Sequence, residues 1–463
     1  MRQILFLFLV FVTLVFLSAC SSKSSFMKQD SLQAQGNYLQ AVAYAKDHID
    51  YNDPTDKNNL LWELYLGQSQ YFDNNLSASI STFSQAESLM KVYREELLAM
   101  TIANDIGSIL TNDNTRPYIG TTYDGIMLNT YKALAYLQEK DYSGARVEFN
   151  RALDRQRRAK EFFAATIEKE KQALLKEQSQ DKKSNTSTSE KENTINQVVQ
   201  ANYPELSRYK LYPEFVNPTT NYLAALFALA NNDTAKAEFL LKESQAMLPE
   251  NKTIKDDYAN LSTPQKESTV WVIYEEGLAP VLNEMRLDFP AWIFTSEVNY
   301  VSIALPRLHE RSGSFNYLSL RCEDENVTQT ELLSSMDRVI QTEFKMNYPS
   351  IVMRSVMSAI SKAVMQNIAN NTDGNIGALA SFATTVYSIL STQADTRIWT
   401  SLPKNFHVAK FAKGQKDSVD IYSPFNYKIA TVKLSDAQYS LIYVKIPTLA
   451  HKVHITSFPL GEK

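Results

Sequence analysis

The chain has 463 residues, 44% of them hydrophobic and 11% aromatic, with 12 Gly and 15 Pro. That is enough apolar material for two or three packed units, and it excludes intrinsic disorder or a collagenous repeat for the chain as a whole. A formal charge of −4 offers nucleic acid no attraction, two Cys cannot build a disulfide framework, and five scattered His do not suggest a metal centre, so no nucleic-acid partner and no cofactor is expected.

The N-terminus carries one cation at Arg2, then the apolar run ILFLFLVFVTLVF, then Leu17-Ser18-Ala19-Cys20. A charge, an apolar run too short for a span of about 20 residues and small residues at its end read as a secretory signal over residues 1–19. Leu17–Cys20 resembles the bacterial lipobox, which implies that Cys20 is acylated and becomes the first mature residue. Ser21 follows it where Asp would favour inner-membrane retention, so the resemblance implies the periplasmic face of the outer membrane. Residues 20–30 are expected to be a lipidated tether.

Residues 31–262 read as a helical domain resembling tetratricopeptide repeats. Segment 60–90 has Leu66-Gly67 in one helix, and Leu76, Ser79, Phe83 and Ala86 in the next. Segment 131–153 repeats the pattern with Tyr136, Tyr142, Ala145, Phe149 and Ala152, and segment 222–249 with Ala225, Ala237 and Leu241. A weaker copy begins at Gly36-Asn37-Tyr38, with Ala41 and Ala45 on the next turn. Small residues suit close helix crossings, and large ones fill the adjoining hole. The crossing residues are Ala41, Ser79, Ala145 and Ala237, and the first interval is near the ~34 residues of such repeats. The longer intervals predict a degenerate copy over 92–125 and an insertion. The polar run KEQSQDKKSNTSTSEKEN fits a flexible insertion over about 176–195, preceded by a charged helix from Arg155 to Lys176. In the repeat register, Gln68, Tyr71, Thr130 and Tyr222 face a concave groove that holds a protein or peptide partner, or else they fill gaps between helices.

From Thr269 the pattern changes. Val270–Tyr274, Asn299–Leu305, 428–434, 439–446 and 452–458 read as strands. A turn and short helix are expected after Glu276, helices over Thr330–Asn370 and Gly377–Thr392, and an α+β unit over 269–463. The apolar run 377–390 is too short to cross a bilayer.

Phosphate-loop, nucleophile-elbow and zinc-protease motifs are absent from the sequence. Glu275-Glu276, Glu284 and Asp288 are acid–base candidates whose simpler reading is a solvated loop. His451 and His454 in one strand would point to opposite faces. Asp395–Trp399 reads as a local ion pair with an aromatic anchor. The lipobox, Asp124-Gly125-Ile126-Met127, Ala152-Leu153-Asp154-Arg155-Gln156, Asn217-Pro218, Glu275-Glu276-Gly277-Leu278-Ala279-Pro280 and Asp395-Thr396-Arg397-Ile398-Trp399, in that order, resemble a family of proteobacterial lipoproteins. No activity is established for that family, so the resemblance transfers no catalytic residue; gene neighbours of some members hint at envelope or cell-wall assembly. The expectation is an outer-membrane-anchored interaction scaffold. The alternatives are a cell-envelope enzyme with its site in the C-terminal unit, or a structural subunit of an envelope complex.

Overall fold

The computed structural model describes residues 24–54, 56, 58–102, 116–159, 188–212, 217–261, 267–294, 298–322, 325–370, 393–449 and 451–462. The signal segment, Cys20, residues 103–115, most of the charged helix and insertion (160–187) and the apolar run 377–390 lie outside the described residues.

Among the described residues, the helical part holds four helix–turn–helix units, and they share one turn. The pairs are α1 (residues 24–34) with α2 (Tyr38–Lys46), α3 (Asn59–Phe72) with α4 (Leu76–Ile102), α5 (Thr122–Gln138) with α6 (residues 142–159), and α8 (Pro218–Ala230) with α9 (Thr234–Met247). Between the helices of each pair a single residue, Gly36, Asn74, Lys140 or Asn232, takes a left-handed φ of 60–64°. The next residue is Asn or Asp, and its N–H closes the first helix on Leu32, Gln70, Tyr136 or Ala228 carbonyls. Its own carbonyl then receives the N–H of Ala41, Ser79, Ala145 or Ala237, the predicted crossing residues. The crossing at α3–α4 is close: Ser79 Oγ donates to the Gly67 carbonyl at 2.7 Å, and a Cβ on Gly67 would stand 2.7 Å from the Phe83 ring. Only glycine fits there. α4 is one 27-residue helix, so the chain from residue 92 continues α4 where a fresh degenerate copy was expected.

α7 (Thr188–Asn202) and α10 (Lys252–Ala259) complete the helical part, with a short turn at Glu205–Arg208. α7 corrects the expected reach of the flexible insertion, because Ile195 and Val199 are buried in an apolar core and fix the segment from 188 onward as helix. α1 likewise corrects the tether, since residues from Ser24 are helical and Gln29 and Gln33 are buried against Ser69.

Among the described residues, the strands begin at Thr269. A five-stranded sheet has the order β11-β10-β1-β7-β6: His454–Pro459, Tyr439–Ile446, Thr269–Glu276, Asn405–Ala412 and Glu331–Ser335. β1 and β10 are parallel, and the other neighbours are antiparallel. A four-stranded sheet, β5-β4-β8-β9 (Glu325–Gln329, Ser319–Cys322, Ser418–Tyr422, Lys428–Lys433), covers one face of it. β1 reads TVWVIYEE and is buried on both faces, which is why its apolar run is continuous. Val270, Val272 and Tyr274 pack with Leu320, Val419 and Ile421 of the second sheet. Trp271 and Ile273 point the other way and share a single core with Leu64, Tyr131 and Leu223 of the helices. The layers are therefore helices, sheet, sheet, and the boundary near 262–269 in the chain is not a gap in the core.

Two segments depart from their expected type. Residues after Gly277 form β2 (Val281–Pro290), which pairs along its whole length with β3 (Tyr300–His309); alternating burial at Leu287 and Phe289 supplies the strand signal that the Pro-flanked turn concealed. Residues 331–335 are β6, and only Met336–Asn370 is helix, α11. β2, β3, α7 and α11 form an arm with its own core, in which Leu287, Phe289 and Ile303 join Val352, Val356 and Ile360. Among the described residues no helix is long and apolar enough to cross a membrane.

Candidate functional site

A fully buried polar cluster lies where the helices meet the five-stranded sheet. β1 and β10 are parallel and in register, so Glu275 stands beside Lys445, each on the face turned to the helices. Neither side chain has any exposed surface, and Lys445 Nζ lies 2.6 Å from Glu275 Oε2. The other carboxylate oxygen accepts hydrogen bonds from Tyr131 of α5 at 2.8 Å and from Tyr443. Lys445 also donates to the Ser401 carbonyl at 3.3 Å and sits 4.7 Å over the Phe72 ring. Burial, and then the charge of Glu275, push the hydroxyls of Tyr131 and Tyr443 well above the ordinary tyrosine range, so both remain donors. Burial pulls the Lys445 ammonium down, and Glu275 opposes it. A buried pair of this kind is tolerable because both carboxylate oxygens are hydrogen-bonded and the ammonium also meets the Ser401 carbonyl and the Phe72 ring.

The sequence-predicted residues surround this cluster. Gln68 donates to the Tyr131 hydroxyl and to the Ser401 carbonyl, both at 3.0 Å, and accepts from Ser401 Oγ. Tyr71 packs its ring on Tyr131 and Tyr443 and accepts from Gln138 at 2.8 Å. Thr130 donates to the Ile126 carbonyl and meets Thr220 across α8 at 2.9 Å. Tyr222 donates to Asp257, which also accepts from Trp271 Nε1 at 3.1 Å and pairs with Lys410 at 2.7 Å. All four face the inner side of the helical layer, but at most 1% of each is exposed. The expectation of a groove open to a partner is therefore corrected. Sheet residues of the same chain, with Ile398–Leu402 ahead of β7, occupy that side.

The acid–base candidates are placed differently from the solvated loop expected of them. Glu275 and Glu276 are consecutive strand residues and point to opposite faces. Glu276 is buried and accepts from Asn405 at 2.7 Å, and it lies 3.0 Å from His407 Nε2. Against the raising effect of burial, His407 and Asn405 hold its carboxyl below the usual range. Beside it, at the same end of the sheet, Lys404 pairs with Asp337, whose carboxyl burial lifts to about 6 against the pull of that lysine. Glu284 pairs with Arg286, and Asp288 is exposed on β2, so neither joins Glu275. His451 precedes β11 and bonds Thr448 at 2.6 Å; His454 is buried in β11. Arg397 pairs with Asp395 at 2.6 Å, reaches Asn58 and the Arg116 carbonyl, and is followed by the buried Trp399.

Lys445 and Tyr131 are the residues sequence reasoning missed. The signal was present: β1 and β10 are apolar strands that each carry one charge on the helix-facing side near the C-terminal end, and opposite charges in such positions require one another. Among the described residues no group of three or more His, Cys, Asp or Glu side chains is disposed to hold a metal ion. No protein-family model, curated protein or solved structure matches the chain.

Proposed function

We propose that this protein is an outer-membrane lipoprotein, anchored through acylated Cys20 on the periplasmic face, that serves as a non-catalytic scaffold for a protein partner in envelope or cell-wall assembly. The four shared helix–turn–helix turns support reading the helical part as degenerate tetratricopeptide-like units whose concave side is used within the chain. One observation carries the preference for a scaffold over an envelope enzyme. Glu275, the carboxylate around which a hydrolytic site would be built, has no exposed surface and is bound on both oxygens by the chain's own groups. A reacting group needs a cleft that admits substrate.

The anchor and the scaffold are tested separately. Fatty-acid labelling should mark the mature chain and disappear in Cys20→Ala, and the variant should leave the outer-membrane fraction. Labelling that persists in the variant contradicts the anchor. Crosslinking in intact envelopes should trap the tagged chain with a defined protein partner, and the Glu275→Gln variant, if it folds, should trap the same one. Turnover of an envelope polymer by the purified chain that Glu275→Gln abolishes would replace the scaffold with the enzyme.

A further inference from the structure

The arm and the N-terminus leave the body from the same end. Phe26 in α1 stacks on Trp62 at the start of α3, with ring centroids 4.4 Å apart. Arg397 joins Asn58, just ahead of α3, to the Arg116 carbonyl ahead of α5. Glu343, two turns into α11, accepts the backbone N–H groups of Thr122 and Tyr123 at the start of α5, at 2.8–3.2 Å. The starts of α1, α3 and α5 and the root of the arm are thus tied together. Beyond Glu343, α11 continues to Asn370, about 40 Å at 1.5 Å per residue. β2 and β3 are ten-residue strands, each roughly 34 Å long; near their Val281–His309 end Leu282 and Leu308 pack on the main core, and the Pro290–Tyr300 end is the opposite one. From Cys20 to Ser24 is four residue steps, which span at most about 14 Å when extended.

The geometry points to a lipid-contacting arm: its far end, carrying Trp292 and Tyr300, lies in the headgroup region of the bilayer that holds Cys20. This inference rests on the acylation proposed above. The body is held within about 14 Å of the bilayer at the end from which the arm leaves, and the arm is more than twice that length, so an arm directed past the tether reaches lipid. The surface of the arm suits that contact. Trp292 and Tyr300 flank the end of the hairpin and are 56% and 64% exposed, although the arm's core is already filled by other side chains. Rings with an apolar body and a polar tip favour the membrane–water interface. On α11 beyond Glu343, Lys345 and Arg354 are half-buried cations and residues 344–370 hold neither Asp nor Glu, the sign that anionic headgroups attract; Lys362 is buried in the arm and takes no part.

The test uses intrinsic fluorescence. Of the four tryptophans, Trp62, Trp271 and Trp399 are buried, and Trp292 alone is exposed. The mature chain with Cys322→Ala is coupled through Cys20 to a maleimide lipid in phosphatidylethanolamine–phosphatidylglycerol vesicles whose acyl chains carry bromine. Coupling supplies the anchor whether or not cells acylate Cys20, so failure here and failure of acylation are distinguishable. Bromine should quench the Trp292 emission and the emission should shift to the blue, and Trp292→Phe should remove both changes. Emission that is the same with and without bromine overturns the inference, and a protein crosslinked to position 292 in envelopes would then name the occupant. Quenching that survives in Trp292→Phe also overturns it, because the buried tryptophans would be reporting unfolding on the lipid.

Discussion

The seam between helices and sheet and the arm of β2, β3, α7 and α11 are both apolar, but they are closed in different ways. At the seam, Glu275, Lys445, Tyr131, Tyr443, Gln68 and Ser401 satisfy one another inside a core shared by helices and sheet. In the arm the core is aliphatic and aromatic, and its large apolar surplus stands outside at Trp292 and Tyr300. Buried polar partners fix one arrangement, because any other leaves a charge or hydroxyl unmatched in low dielectric. An apolar core of stacked side chains imposes no such uniqueness. The seam is therefore expected to be the rigid part of the molecule, and the arm the part free to adapt to a surface.

The sharpest break in that comparison is Lys445→Met. It strands the Glu275 carboxylate without exposed surface and should cost about 3–5 kcal/mol in denaturant unfolding. A loss below about 1 kcal/mol, the size of an exposed pair, would show that the seam is wet. Tyr71→Ala and Tyr222→Ala should each cost a similar ~3–5 kcal/mol, as buried aromatic truncations do. Near-wild-type stability in both would restore the open groove.

The next effect is a pH dependence. Burial, with the charge of Lys445 adding to it, lowers His454 to about 4, below the 6.5 of an unburied histidine. The folded state then binds the proton less readily than the unfolded state. Its stability is full above pH ~6.5 and falls toward pH 4, by up to about 3 kcal/mol. Asp337, lifted by burial to about 6, and Glu63, lifted to about 7, contribute the opposite slope. The His454 contribution is therefore read from the stability difference between wild type and His454→Gln in urea at pH 7, 6 and 5, which should shrink as the pH falls. Smallest is Val356→Ala in the arm, about 2 kcal/mol from two lost carbons and a small cavity. If the arm is a separate unit, amide protection should fall in α7 and α11 while β1 keeps its own. An equal fall in β1 would join the two regions.

Much of this organisation was legible in the sequence. The crossing residues Ala41, Ser79, Ala145 and Ala237 could be read because close helix packing admits only small side chains, and each sits at the same offset after its left-handed turn residue. The strands at 269, 300, 428, 439 and 454 were visible through β-branched and aromatic runs. β4 and β8 were not, since four or five residues such as SLRC and SVDIY carry too little pattern. The same local reasoning gave Tyr71 and Tyr222 the correct face of the helices and the wrong neighbour. Periodicity reports which side of a helix is apolar, whereas what covers that side is set by contacts such as Gln68 with Ser401, more than 300 residues apart in the chain. Glu275 was hidden for the same reason, because its cation arrives from β10.

The central claim is that the helical layer is sealed by the chain's own sheet, and hydrogen exchange tests it most directly. Amides of α3 and α5 should exchange as slowly as those of β1 and β10, at the rate of global unfolding, with α11 beyond Pro349 exchanging sooner. Protection in α3 and α5 that is lost well before the sheet opens would mean that the inner face of the helices is a groove after all.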